Sequence, residues 1–270
     1  MYPYKIFLGL TLYDICLCLG LIACFFVFGF LADRHRTKRK IQNFALICGC
    51  GAIIVGYGSA VFFQALYNIK SLGEFVINAN TGATFYGGLI GGVAMFLALY
   101  FGVGCFRFED ASHAKAFFDI ADSAVPSIVI AHALGRIGCL TAGCCHGAKT
   151  SAWYGIMMHG NLGYAKYVPV QLFEAIFLLL LFAFLFIRSM DKKGYCLPIY
   201  LCVYAVWRFA VEFIRGDYRG NTLIDALSPS QLIACILFFI GIGLLFFEKH
   251  IRARLKKEEL PPEEDNEKAE

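Results

Sequence analysis

Charge is scarce in this chain: 16% of its 270 residues are Asp, Glu, Lys or Arg, against 59% that are hydrophobic. A water-soluble domain does not usually carry so little charge over so much apolar surface, so a soluble globular protein is excluded and much of the chain must face lipid. No stretch has the composition of a second domain, and no internal repeat is present, which excludes a solenoid. The basic runs at 34–40 and 249–257 lack the interleaved aromatics that stack on bases. Nucleic acid is therefore not an expected partner, and attraction to anionic lipid beside the membrane is the simpler reading. The first residues are only weakly basic, and the apolar run behind them is too long and lacks a small-x-small cleavage site; a retained first span is expected rather than a signal peptide. The last apolar run, 231–248, has no lysine, which excludes a retinal Schiff base there.

What is present instead is a series of apolar runs of roughly 20 residues, each long enough to cross a hydrocarbon core of about 30 Å. The expected spans are 11–31, 43–66, 83–106, 117–135, 168–187, 195–214 and 231–248. The fold class is thus all-α, a polytopic membrane bundle of about seven transmembrane helices over residues 1–248. A charged tail follows at 249–270, where mixed charges and Pro261-Pro262 predict cytoplasmic disorder. Asp119, Asp122 and Pro126 interrupt the fourth span, which rests mainly on the need for alternating topology. With the N-terminus outside, sixteen of the 24 lysines and arginines fall on the inner side, so an N-out, C-in orientation is expected.

That topology gathers the unusual polar residues towards the outer face. Arg208, Glu212 and Arg215 recur at i, i+4 and i+7, and a helix stacks them on one face with Tyr204 a turn earlier. Ionisable groups inside a span cost at least ~2.5 kcal/mol each, so they normally face a cavity or one another. A helix end snorkelling to the interface accounts for Arg215 but poorly for Arg208 and Glu212. Arg136 stands in Gly135-Arg136-Ile137-Gly138, where glycines let backbone approach a ligand and a guanidinium offers a fork that matches phosphate. The competing reading is a helix terminus with a dipole-compensating arginine. In the run from Thr84 to Gly92, Gly88 and Gly92 have the spacing of a close helix crossing. Alternatively, Tyr86 followed by Gly87 and Gly88 exposes backbone N–H groups to a head group.

Twelve cysteines are many for this length. Nine sit in or beside apolar runs, where a thiol acts as a small hydrophobe. Cys139, Cys144 and Cys145 cluster with His146, but the spacing matches none of the paired zinc knuckles and adjacent cysteines rarely both ligate one tetrahedral ion. No metal is expected. A disulfide from Cys139 to Cys144 or Cys145 stays open on an oxidising face, beside free thiols filling a tight turn. His35, His113 and His250 read as solvated surface; His132 and His159 lie nearer the outer face without a partner recognisable in the sequence.

Taken in order, these pieces resemble the prolipoprotein diacylglyceryl transferase family over nearly the whole chain. Tyr13 resembles the family's early Tyr-Gly position, and Thr84-Phe85-Tyr86-Gly87-Gly88 its Ser-Phe-His-Gly-Gly. Gly135-Arg136-Ile137-Gly138-Cys139 is similar to Gly-Arg-x-Gly-Asn, and Val168 through Glu174 to His-Pro-Ser-Gln-Leu-Tyr-Glu. Arg208 through Arg215 matches Arg-x-x-x-Glu-Phe-x-Arg, and Leu227 through Leu232 resembles the Gln-containing entry to the seventh span. The resemblance implies a multi-pass enzyme of the bacterial plasma membrane, monomeric and needing no cofactor. It implies transfer of a diacylglyceryl group from phosphatidylglycerol to the lipobox cysteine in a preprolipoprotein signal peptide, with thioether formation and release of glycerol 1-phosphate. Arg136 and Arg208 then stabilise the departing phosphate, and Tyr86 is the third expected catalytic residue. Glu212 orients an arginine, Gln171 and Tyr13 hydrogen-bond the head group, and Gly87, Gly88 and Arg215 complete the substrate site. The chain departs from the family at Tyr86, where a phenol replaces a histidine and is a poor base at neutral pH. It departs again at Cys139, where a thiol replaces an amide that both donates and accepts. Those departures keep open a phospholipid-binding protein of the same fold without transferase activity.

Overall fold

The computed structural model describes residues 9–72, 75, 77, 78, 81, 82, 84–160, 163–215 and 227–259. Helices dominate: α1 (Leu12–Arg34), α2 (Arg39–Leu72), α3 (Phe85–Leu97), the short α4 (Gly104–Arg107) and α5 (Ser112–Lys115), α6 (Phe117–Ala142), α7 (Val170–Met190), α8 (Cys196–Glu212) and α9 (Pro229–Glu259). A two-stranded antiparallel hairpin, β1 (Ile156–Gly160) and β2 (Gly163–Tyr167), stands between α6 and α7. Six helical stretches among the described residues are long and apolar enough to cross a membrane. The remaining expected span, the sixth, is α8, which at 17 residues is shorter and carries Arg208 and Glu212. Phe26, Ile54 and Phe246, each more than 70% exposed, point away from the protein as lipid-facing side chains do.

Two compact units make up the chain, residues 36–120 and residues 1–35 with 121–270. In the first, α2 and α3 cross with their backbones nearly touching. A Cβ on Gly56 would lie 3.0 Å from the Gly88 carbonyl oxygen and 3.3 Å from the Cα of Gly92. One on Gly87 would lie 2.8 Å from the Phe63 side chain. Ser59 donates to the Gly87 carbonyl at 2.9 Å, and the Thr84 N–H and hydroxyl both donate to the Ala60 carbonyl at 3.0 Å. The glycine spacing therefore serves a small-residue crossing. Gly56→Leu is expected to force the helices apart at a cost of about 1–3 kcal/mol; a thermal-unfolding midpoint equal to that of the parent chain would refute this packing. Beyond α3 the helix widens into a π-turn, Ala98–Val103, that buries Tyr100. The Tyr100 hydroxyl donates to the His113 carbonyl at 2.8 Å, and the His113 ring, 1% exposed, lies 5.6 Å from Phe108. His113 is thus a core residue and not the solvated surface group expected from its place in a loop.

The second unit holds α1 and α6 to α9 with the hairpin. Its core joins Val125, Val129 and Ala133 of α6 to Leu178, Leu181 and Leu185 of α7 and to Cys196 and Tyr204 of α8. Phe177 and Trp207 stack at 4.2 Å and tie α7 to α8. Helix α1 packs on α6 through two glycines: a Cβ on Gly20 would meet the Ala131 carbonyl at 3.2 Å, and one on Gly138 would meet the Tyr13 ring at 3.1 Å. A capping box starts α1, with the Thr11 N–H donating to Asp14 at 2.9 Å and the Asp14 N–H to the Thr11 hydroxyl at 3.3 Å. The acid in the weakest expected span also has a partner. Asp122 accepts from the Cys196 N–H at 2.8 Å and from Arg252 at 2.6 Å, while Arg252 also donates to Glu248 at 2.7 Å. Burial of Asp122 is tolerated because its charge is neutralised. Arg252 lies beyond residue 248, in the segment expected to be a disordered tail; that segment is helical as far as Glu259, and 260–270 lie outside the described residues.

Candidate active site

Glu174 is the pivot of the polar residues in the second unit. It rises from the first turns of α7 and is 1% exposed. Its Oε1 accepts from the Tyr204 hydroxyl of α8 at 2.9 Å, and its Oε2 lies 3.1 Å from Nε of Arg136 on α6. His132, one turn before Arg136, brings Nε2 to 3.8 Å from Oε1 and sets its ring edge-on to Tyr204. One buried carboxylate therefore holds α6, α7 and α8 together and gives Arg136 a fixed counter-charge.

Arg208 sits one turn beyond Tyr204 and is 9% exposed. Its Nη2 lies 3.1 Å from Glu212 and donates to the Ser230 hydroxyl at the start of α9 at 3.0 Å. Glu212 also accepts from Ser228 at 3.0 Å, and Gln231 closes the turn by accepting from the Ser228 N–H at 2.9 Å. The other terminal nitrogen, Nη1, is buried with no hydrogen-bond partner among the described residues. A buried guanidinium N–H without an acceptor is costly unless a ligand supplies one. Tyr204 and His132 each lie within electrostatic reach of both Arg136 and Arg208, so guanidiniums from two helices converge on the same pair of side chains.

The remaining expected site residues distribute as follows. Arg215 does not continue the stripe, because α8 ends at Glu212; it lies beyond the helix, where its charge acts on Cys145. Gln171 is fully buried, and its amide nitrogen donates to the Cys144 carbonyl and approaches the sulfur of Met158 at 3.8 Å. It thereby holds the turn after α6, and its Oε1 has no partner among the described residues. Tyr13 packs on Gly138 within electrostatic reach of Cys139, Cys144 and Cys145. Tyr86, Gly87 and Gly88 lie on α3 in the other unit. Glu174, Ser228, Ser230 and Gln231 were not among the expected site residues. Glu174 was detectable as a lone acid inside an apolar run, which marks an intramembrane site by default.

Past α6 the chain turns sharply. The Gly143 N–H donates to the Leu140 carbonyl and the Cys144 N–H to the Cys139 carbonyl, both at 3.2 Å, with Gly143 at φ 76°. That is a Schellman cap, in which glycine takes the left-handed position and the residue after it touches the helix's last turn. Gly147 then approaches Ile214, Val168 and Val170 so closely that a Cβ would lie 2.8 Å from the Ile214 carbonyl. Its N–H donates to Val168 at 2.8 Å, while that of Ala148 donates to Ile214 at 3.1 Å. The turn is thereby fastened to the end of α8 and the start of α7. The Cys145 thiol is pulled below its ordinary pKa by hydrogen bonds from Cys139 and Cys144, against desolvation, with Arg136 and Arg215 adding to the shift.

An apolar helical bundle that holds Arg208 buried and Arg136 largely so, each beside a carboxylate and the first with an N–H that has no partner among the described residues, defines a multi-pass membrane protein with a polar site of paired arginines and acids among its helices. The chain belongs to the prolipoprotein diacylglyceryl transferase family, whose profile matches residues 4–247. It is similar to proteins named phosphatidylglycerol–prolipoprotein diacylglyceryl transferase from Clostridium tetani, at 33% identity over 87% of this chain and 91% of the relative. A Dehalococcoides mccartyi protein of that name is 29% identical over 91% of this chain and 90% of its own length. A Clostridium perfringens protein carrying the name with the numeral 2 is 36% identical over 62% of this chain and 63% of its own length.

Proposed function

We propose that this chain moves the diacylglyceryl group of phosphatidylglycerol onto the lipobox cysteine of a prolipoprotein. The observation that carries the reading is Nη1 of Arg208, buried without a hydrogen-bond partner among the described residues, on a guanidinium that acts on the same Tyr204 and His132 as Arg136 does. A phosphate oxygen is an acceptor of the right charge, and a guanidinium in a low-dielectric site binds it as a charge-assisted pair.

In the proposed step the acceptor sulfur attacks the glyceryl carbon that carries the phosphate ester. A C–S bond forms, the C–O bond breaks, and its electron pair leaves on the oxygen of glycerol 1-phosphate, which ends with the proton given up by the thiol. Negative charge gathers on the leaving phosphate, where Arg136 and Arg208 stabilise it more in the transition state than in the ground state. Glu174 and Glu212 position the two guanidiniums and offset their charge. Gln171 and Tyr13 orient the head group, the first through its Oε1, and Arg215 binds substrate with them; Gly87 and Gly88, on α3, are the substrate-binding residues assigned to the other unit. The role assigned to Tyr86 is that of a weak base towards the acceptor thiol, which suffices because a cysteine thiol ionises near pKa ~8.5 unaided. The enzyme works as a monomer without a cofactor in the bacterial plasma membrane, N-terminus outside and C-terminus in the cytoplasm.

Purified chain in phosphatidylglycerol vesicles with a lipobox peptide is expected to yield thioether-lipidated peptide and glycerol 1-phosphate in equal amounts, read by mass spectrometry. Phosphatidylglycerol retained by folded protein without either product would instead identify a lipid-binding relative that has lost the reaction.

A further inference from the structure

The sulfurs of Cys139, Cys144 and Cys145 lie within 4.8 Å of one another. The proposed transfer uses none of them. Two features of the backbone explain how residues on a helix and in a turn, two of them adjacent, bring three sulfurs together. The Schellman cap sets Cys144 against Cys139, the contact that in such caps is usually made by two apolar side chains. Cys145 then has φ 60°, a left-handed conformation uncommon outside glycine, which curls the chain so that neighbouring side chains share a side instead of opposing. Left-handed backbone at a non-glycine residue costs about 1–3 kcal/mol and persists where the surroundings impose it.

We propose that Cys139, Cys144 and Cys145 form a trithiolate site for one thiophilic d10 metal ion, Zn2+ or Cu+, that clamps the 143–148 turn onto the end of α6. Three sulfurs each about 2.3 Å from a shared ion stand roughly 3.8–4.0 Å apart, a spacing the observed grouping admits with little movement. Thiolate is the ligand that selects such soft ions. As each S–metal bond forms, the thiol releases its proton to solvent, so three thiolates leave a net negative charge around either ion. Arg136 and Arg215 both act electrostatically on Cys145 and offset that excess. Cys144 and Cys145 are exposed, which gives an ion a path in. His146 is not a fourth ligand in this arrangement: its ring packs on Tyr167 at 4.2 Å, and its Nδ1 lies 2.9 Å from the Gly147 carbonyl. The objection that adjacent cysteines cannot share an ion assumes that their side chains diverge, and the left-handed turn removes it.

The test uses the full chain in detergent, reduced, exposed separately to Zn2+ and to Cu+ under reductant and then freed of unbound metal by gel filtration. One ion per chain of at least one metal is expected by elemental analysis. It should be kept by Cys18→Ser and Cys50→Ser, exposed thiols elsewhere, and lost from Cys139→Ser, Cys144→Ser and Cys145→Ser. Peptide mapping of the unmutated chain gives a second readout independent of variant folding, since bound metal should shield Cys139, Cys144 and Cys145 from iodoacetamide while Cys105, exposed at a helix end beside Arg107, still reacts. Neither metal binding, binding that survives the combined Cys144→Ser and Cys145→Ser change, or alkylation of the three thiols indifferent to metal would each overturn the proposal.

Discussion

Arg208→Ala is expected to lower the rate of diacylglyceryl transfer about 100-fold or more, which corresponds to ~3 kcal/mol of lost transition-state stabilisation. The protein should still insert and fold at some cost in stability, because Glu212 keeps its bond from Ser228 while its buried Oε2 loses its counter-charge, so rates are compared per folded molecule. Two jobs are combined in one guanidinium. Nη2 is anchored by Glu212 and Ser230, and the opposite nitrogen is left to bind what arrives. Lysine has the charge but not the planar fork, so it can meet the anchor or the ligand and not both. Arg208→Lys should therefore recover only a small part of the lost rate. Near-normal turnover in either variant, measured with phosphatidylglycerol and a lipobox peptide, would remove Arg208 from the reaction.

Glu174→Gln is expected to be the most destabilising single change in the second unit. Glutamine can still accept from the Tyr204 hydroxyl but leaves the largely buried Arg136 beside a neutral group. Breaking a buried pair in this way typically costs about 3–5 kcal/mol. The same change should suppress transfer, since Arg136 loses the contact at 3.1 Å that aims it. Because the penalty comes from the stranded charge, Glu174→Gln combined with Arg136→Gln should be more stable than Glu174→Gln alone. Unfolding of the purified single and double variants measures this coupling directly. Strictly additive losses would mean that the two side chains do not depend on each other.

Much of this architecture was legible in the sequence because lipid imposes a simple rule. Backbone polar groups must be satisfied within the segment, so long apolar runs become helices. Arg208 and Glu212 were readable as a pair from their i, i+4 spacing, and Arg136 from its glycine flanks. Arg215 was misplaced because helical spacing says nothing of where the helix stops, and α8 stops one turn early. The hairpin at 156–167 escaped notice since its strands are only five residues each and show little alternation between faces. Asp122 looked like a flaw in its span until α9 supplied Arg252, a partner 130 residues away. The grouping of the three cysteines depends on a cap geometry signalled by Gly143 and on the backbone of Cys145, which no spacing rule encodes. His113 shows the same limit: short polar context suggested solvent, while packing against Tyr100 and Phe108 buried it.

The central claim is that Arg136 and Arg208 hold the phosphate of the leaving group. Titration of the purified chain with glycerol 1-phosphate, followed by 31P NMR, tests it most directly. Saturable binding is predicted, weakened at least tenfold by Arg136→Gln and by Arg208→Gln, with glycerol unable to compete. Equal binding by parent chain and variants would contradict it.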